Sequence, residues 1–176
     1  TQSYPEALRL YKLAADQGLA IAQNNLGNMH NLGLGVTQSY PEALRLYKLA
    51  ADQGFASAQY KLGVMHLQGD GVMQSYTEAA KWFTISADQG YAPAQYNLGL
   101  MYDLGDGVTQ SYPEALRLYK LAADQGLAIA QNNLGIMYEN GQGVIQSYSE
   151  ARKWYTLAAN QGNEDAKRYL ERIKNK

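Results

Sequence analysis

The string TQSYPEALRLYKLAADQG begins at Thr1, Thr37 and Thr109 without a change, and looser copies begin at Met73 and Ile145. Successive starts are 36 residues apart every time, with no insertion or deletion to break the register. A strict period in this range leaves a chain few folds. One unit cannot bury an apolar face alone, so units must stack and share a continuous core, as in a solenoid. The expected organisation is a single array over 1–176, with units at 1–36, 37–72, 73–108 and 109–144 and a C-terminal capping unit at 145–176.

Each unit reads as two helices. In the first, Ser3 and Glu6 have capping-box spacing and Pro5 sits where a missing N–H costs little. Ala7, Leu10, Tyr11, Ala14 and Ala15 then share one helical face, and Gly18 ends the helix in a left-handed cap. The second helix turns Ala22, Leu26, Met29 and His30 inward and stops at Gly33; Pro93 marks its start in the third copy. Helices of about 13 residues are marginal in isolation and must draw stability from stacking.

Gly27 recurs as Gly63, Gly99 and Gly135 in the middle of the second helix. A mid-helix glycine costs about 0.8–1 kcal/mol relative to alanine, so these positions need a packing reason. The final copy holds Glu171 there, where no further unit follows. The glycines are therefore expected to let the next first helix approach closely.

The same residues carry a family resemblance. Trp82-Phe83, Gln89-Gly90, Ala94-Gln95, Leu98-Gly99, Met101-Tyr102 and Gly105-Asp106-Gly107-Val108 resemble the pattern of the Sel-1-like repeat family, a relative of the tetratricopeptide repeat, over essentially the whole chain. The resemblance implies an all-α fold, a right-handed α/α superhelix (solenoid) of 36-residue helix-turn-helix repeats, with first helices lining the concave side. It also implies a protein-interaction scaffold. A disulfide-stapled branch of the family carries paired cysteines, and this chain has none. The family is abundant in bacteria and also occurs in eukaryotes, so the resemblance leans to a bacterial origin. Near-identical copies equally suit an engineered array.

Opposite the core face, the first helix exposes Pro5, Arg9, Lys12 and Asp16. Stacked, these form rows: Arg9, Arg45, Lys81, Arg117 and Lys153; a broken row of Lys12, Lys48 and Lys120; and an acidic row of Asp16, Asp52, Asp88 and Asp124. One reading is a concave charged groove for an extended peptide, in which arginine forks take carboxylates. The other is a solvated face with i,i+4 pairs such as Lys12–Asp16. On the second helix, the positions that differ between copies place Tyr60, Val64, Tyr96, Leu100 and Ile136 on an outward arc. That arc reads either as a second docking strip or as contact between neighbouring units.

Chemistry finds little purchase here. Cys-based zinc sites and thiolate catalysis are excluded by the absence of cysteine. His30 and His66 occupy the place of Tyr102 and Tyr138, with no third metal ligand in view. GDGV and GQGV lack the Lys-Ser/Thr of a P-loop and read as helix stops. No catalytic constellation breaks the repeat symmetry, so no enzyme, cofactor or metal is expected. The formal charge is −1, and residues 1–144 carry 8 basic against 12 acidic groups, which argues against nucleic acid. No apolar run is long enough for membrane insertion. The chain starts at Thr1 without a basic-then-apolar leader, and a missing initiator Met suggests a piece of something longer; cytoplasmic and exported settings both stay open.

The two ends differ. Arg152, Asn163, Glu164, Lys167, Arg168, Glu171 and Arg172 make the last copy a polar cap, whereas the first copy keeps a face meant for a preceding unit. The sequence thus predicts a non-enzymatic scaffold for a protein or peptide partner, contacted by Arg9, Arg45, Lys81, Arg117 and Lys153 with Lys48 and Lys120. The alternative is a structural or self-associating array that uses the uncapped N-terminal repeat.

Overall fold

The computed structural model describes residues 4–176, so the Ser3 half of the first capping box lies outside the described residues. Among the described residues there are ten α-helices and no strand. They are α1 (Tyr4–Asp16), α2 (Ala20–Leu32), α3 (Tyr40–Asp52), α4 (Ala56–Gln68), α5 (Tyr76–Asp88), α6 (Ala92–Leu104), α7 (Tyr112–Asp124), α8 (Ala128–Asn140), α9 (Tyr148–Asn160) and α10 (Glu164–Ile173). Contacts divide the chain into two compact units, one ending at Ser86 and the other starting at Ala87. Each unit is a stack of helical hairpins.

The first helices start on serine. The hydroxyls of Ser39, Ser75, Ser111 and Ser147 accept the backbone N–H three residues on at 3.4, 3.2, 3.5 and 3.3 Å. Only this half of the capping box forms. The N–H groups of the four serines donate instead to the carbonyls of His30, His66, Tyr102 and Tyr138 in the preceding helix. That leaves the glutamates of the boxes free for side-chain pairing. The second helices stop at Gly33, Gly69, Gly105 and Gly141, all left-handed, whose N–H groups bond to the carbonyls of Met29, Met65, Met101 and Met137. The GxG loops are helix stops, as expected.

Buried faces follow the sequence periodicity. In the first unit α3 buries Ala43, Leu46, Tyr47, Ala50 and Ala51, and in the second α7 buries Ala115, Leu118, Tyr119, Ala122 and Ala123. Against them lie Ala58, Leu62 and Met65 of α4, and Ala130, Leu134 and Met137 of α8.

The mid-helix glycines make the joints. A Cβ built on Gly27 would fall 2.7 Å from the Tyr47 ring, and on Gly63 2.6 Å from Phe83. In the second unit Gly99 meets Tyr119 at 2.9 Å and Gly135 meets Tyr155 at 2.6 Å. Each ring lies where the glycine removed a side chain. Hydroxyls on these rings are matched by the helix beneath. Tyr47 donates to Asn28 at 2.8 Å, Tyr119 to Asp103 at 3.3 Å and Tyr155 to Glu139 at 2.8 Å. Phe83 has no hydroxyl, and the corresponding positions of α4 hold the apolar Val64 and Leu67.

A second polar tie crosses the joints. The side-chain amide of Gln53 donates to Gln23 at 2.7 Å, Gln125 to Gln95 at 2.7 Å and Gln161 to Gln131 at 2.8 Å. Each receiving glutamine in turn donates to the last turn of the preceding helix, at the carbonyls of Ala15, Ala87 and Ala123.

The final helix closes its unit with charge. Asn163 caps it at 2.9 Å from the Ala166 N–H, and Glu164, Asp165 and Glu171 pair with Lys167, Arg168 and Lys174. Arg172 reaches back to the nearly buried Glu139 at 2.7 Å, on the same carboxylate oxygen that accepts from Tyr155.

Two outcomes follow from these contacts. Gly99→Leu drives a branched side chain into the Tyr119 ring; overpacking of this kind costs about 3 kcal/mol. At about 2–4 °C per kcal/mol for a chain of this size, circular dichroism should show melting lowered by about 6–12 °C. Arg172→Ala leaves the Glu139 carboxylate with Tyr155 alone and should cost about 1–3 kcal/mol, with part recovered in the Arg172→Ala/Glu139→Gln double variant.

Candidate interaction surface

The residues of the expected basic row are all exposed, and each is paired with the glutamate three positions before it. Arg9 meets Glu6 at 2.9 Å, Arg45 meets Glu42 at 2.7 Å, Lys81 meets Glu78 at 2.6 Å, Arg117 meets Glu114 at 3.0 Å and Lys153 meets Glu150 at 3.6 Å. Arg9 and Arg45 engage both carboxylate oxygens through Nε and Nη2. Acid before base along the helix is the order its dipole favours. Pairs of the Lys12–Asp16 kind do not form among the described residues. Lys48 and Lys120 are exposed and have no ion pair among the described residues. The row is therefore a line of Glu–Arg and Glu–Lys pairs, locally neutral.

These pairs wall a cleft that recurs. Between α1 and α3 a cleft of about 330 Å³ has Lys12 and Asp16 on one side and Glu42 and Arg45 on the other, over an apolar floor of Leu46 and Leu49. Three periods later, between α7 and α9, a cleft of about 470 Å³ has Lys120 and Asp124 facing Glu150 and Lys153, over Trp154 and Leu157. The two clefts correspond position by position. Arg45 is held charged chiefly by its hydrogen bond to Glu42, and Asp16 adds to this from across the cleft. The Arg45 hydrogen bond in turn holds the Glu42 carboxyl below the usual carboxylate range, against the opposing effect of burial. Lys81 does the same for Glu78. Lys153 also lies 5.3 Å from the centroid of the Trp154 ring.

His30 lines the first cleft. The Nδ1 atoms of His30 and His66 are buried without a hydrogen bond, and no group of metal-ligating side chains occurs among the described residues. No helix among the described residues is long and apolar enough to cross a membrane.

The residues of the second arc are half-buried at the joints. Tyr60 packs on Phe83 with ring centroids 5.6 Å apart, and Tyr96 on Tyr119 at 5.8 Å. Tyr96 and Leu100 border the core of the second unit, Ile136 packs against the α9–α10 core, and Val64 is partly covered. Sequence reasoning missed the glutamine ties and the matching of ring hydroxyls to acceptors. The recurrence of Ala-Gln at one place in the first four units, and of Gln-Gly at another in all five, was the available signal for the first.

Stacked helix pairs with a glycine–aromatic joint and a left-handed glycine at the ends of α2, α4, α6 and α8 define an α-solenoid repeat protein. The Sel1 repeat family model matches residues 1–19, 20–55, 56–91, 92–127 and 128–163, and the chain belongs to the Sel1 repeat family. Among solved structures, a protective antigen of uropathogenic Escherichia coli strains with an SLR fold is 38% identical, with a TM-score of 0.88, over 90% of this chain and 34% of that one. A Sel1 repeat protein from Oxalobacter formigenes is 36% identical with a TM-score of 0.92, over 99% of this chain and 71% of that one. An immunity protein from Pseudomonas aeruginosa is 26% identical with a TM-score of 0.61, over 90% and 59%. The chain thus spans about a third of the first relative and about seven-tenths of the second. Among curated proteins, none matches the sequence. Sel1 repeat proteins are generally protein-interaction scaffolds and typically non-enzymatic.

Because Arg45 depresses the Glu42 pKa, the stability that pair supplies is present above the unfolded carboxyl pKa and is lost as pH falls through the folded one. Carbon-detected NMR titration should place Glu42 below the ordinary value of about 4.3, and Arg45→Ala should return it toward that value. The accompanying loss of stability should be under about 1 kcal/mol, as for an exposed pair.

Proposed function

We infer that this chain is a non-enzymatic scaffold that holds a protein or peptide partner along its first-helix face. The contacts are Arg9, Arg45, Lys81, Arg117 and Lys153, supported by Lys48 and Lys120. The observation that carries this reading is the recurrence of one cleft, with charged walls and an apolar floor, between α1 and α3 and again between α7 and α9. An extended peptide can lay an apolar side chain on the floor and a charged one against either wall, then repeat the contact one unit on. The intrahelical Glu–Arg pairs favour this use. Exposed pairs are worth only about 0–1 kcal/mol, so a guanidinium already held in fork geometry can turn from its own glutamate to a partner carboxylate at little cost.

An unbiased peptide-display selection should enrich a motif that combines an apolar residue with acidic ones on the parent chain. It should fail on the Arg9→Glu/Arg45→Glu/Arg117→Glu variant, which ought to melt close to the parent. Equal enrichment on both, or on neither, would remove the first-helix face as the binding site.

A further inference from the structure

The chain has two histidines, and both stand at one place in the repeat. Tyr102 and Tyr138 hold that place in later copies. His30 lines the α1/α3 cleft, and Tyr138 lines the α7/α9 cleft. The two clefts otherwise carry the same charges. Lys12 and Asp16 border the first from α1, and Glu42 and Arg45 from α3, so two cations stand against two anions. The rest of that lining is apolar, with Leu8, Leu26 and Leu46 among it. Lys120, Asp124, Glu150 and Lys153 balance in the same way in the other cleft. His66 has Lys48 and Asp52 of α3, and Glu78 and Lys81 of α5, at the corresponding positions.

The His30 ring is not committed to the fold. Its Nδ1 is buried without a hydrogen bond, and its Nε2 has no partner among the described residues. Glu42 is already taken up by Arg45, through hydrogen bonds of 3.0 and 2.7 Å. The imidazole is nevertheless close enough to act on this wall. The Arg45 hydrogen bond is the chief cause of the lowered Glu42 pKa, and the charge of His30 adds to it. His66 adds in the same way to what the Lys81 hydrogen bond does for Glu78. Histidine is the side chain whose charge changes between about pH 5 and 8. A proton on His30 gives the α1/α3 cleft one positive charge in excess of its balanced walls. A phenol takes up no proton in that range, so the α7/α9 cleft stays balanced.

We propose that His30 and His66 determine the specificity of the first-helix face for acidic peptides, each imidazolium taking a carboxylate, so that the first unit binds them more tightly as pH falls. The proposal rests on the first-helix face being the binding site. Carboxylates of the peptide and of the walls stay ionised above about pH 5, so a fall from about pH 7.5 to 5.5 charges the histidines alone. Hydrogen bonds to a charged group are about twice as strong as neutral ones, which sets the direction of the effect. The α7/α9 cleft should hold its part of a peptide equally at both values.

The probe is a displayed library of short segments with a fixed leucine and a pair of fixed glutamates, selected on the full chain at about pH 5.5 and about pH 7.5. Segments enriched at the lower pH should bind the parent about fivefold more tightly there than at the higher, read by fluorescence anisotropy. His30→Tyr/His66→Tyr, which introduces the residue of the later copies, should reduce that difference to below about twofold while melting close to the parent. If this variant fails to fold, His30→Gln/His66→Gln gives the same comparison with a neutral polar group. Equal affinity at the two pH values, with binding still lost in Arg9→Glu/Arg45→Glu/Arg117→Glu, overturns this proposal and leaves the first-helix face standing. A pH dependence that survives replacement of both histidines overturns it too. Failure to enrich any segment at either pH overturns the proposal together with the reading on which it rests.

Discussion

A glycine lying under an aromatic ring is the contact on which each stack depends. Without a Cβ at Gly27, Gly63, Gly99 or Gly135, the ring of the next first helix comes to the backbone of the second helix before it. The arrangement gives up helix propensity, about 1 kcal/mol per glycine, and gains a buried aromatic side chain at about 1.5–3 kcal/mol. The balance is favourable only when a next helix is present to bring the ring. That makes the glycine a marker of continuation; the corresponding place in α10 holds Glu171.

Apolar contact alone would let neighbouring helix pairs slide, since it has no direction. The polar ties remove that freedom. A Gln–Gln bond and a ring hydroxyl on its acceptor lie at separated points of one joint, so any shift along the helix axes breaks both. Buried polar groups left unpaired cost about 1–3 kcal/mol each, which makes the correct register much better than its neighbours. With register set, the first helices fall at a constant spacing inside each stack. The cleft between α1 and α3 then has the same walls as that between α7 and α9 because identical helices are held in the same way.

The period, the paired helices, the buried face and the role of the glycines were all legible in the sequence, because each rests on local spacing or on repetition. What was not legible depends on neighbours. The capping box formed only by half because the N–H of Ser39 goes to His30 of the previous helix, which no local pattern announces. Pairing of Glu42 with Arg45 followed from the glutamate that this left free. The differences between Asn28 and Val64 at one position, and between Leu67 and the acidic Asp103 and Glu139 at another, resemble drift when the copies are aligned on themselves. They acquire a reason only when each is set against the ring of the following unit: a phenol at Tyr47, Tyr119 and Tyr155, and a bare ring at Phe83. In a repeat protein, residue identity is set across the joint as much as within the unit.

The clefts sit on this frame without disturbing it. Their floors are residues the stack already needs, such as Leu46 and Trp154, and their walls are exposed charges that contribute little to stability. Changing a wall residue alters the charge of the cleft and leaves the joint alone, whereas changing a ring or its glycine alters the frame. Position 46 and its counterparts carry the link between the two. Leucine at Leu46 and Leu118 and tryptophan at Trp82 and Trp154 reshape the floor from copy to copy while the charge pattern on the walls persists. On the proposed function, the leucine and tryptophan floors would distinguish one unit's contact from another's, and the paired charges would supply the contact they share.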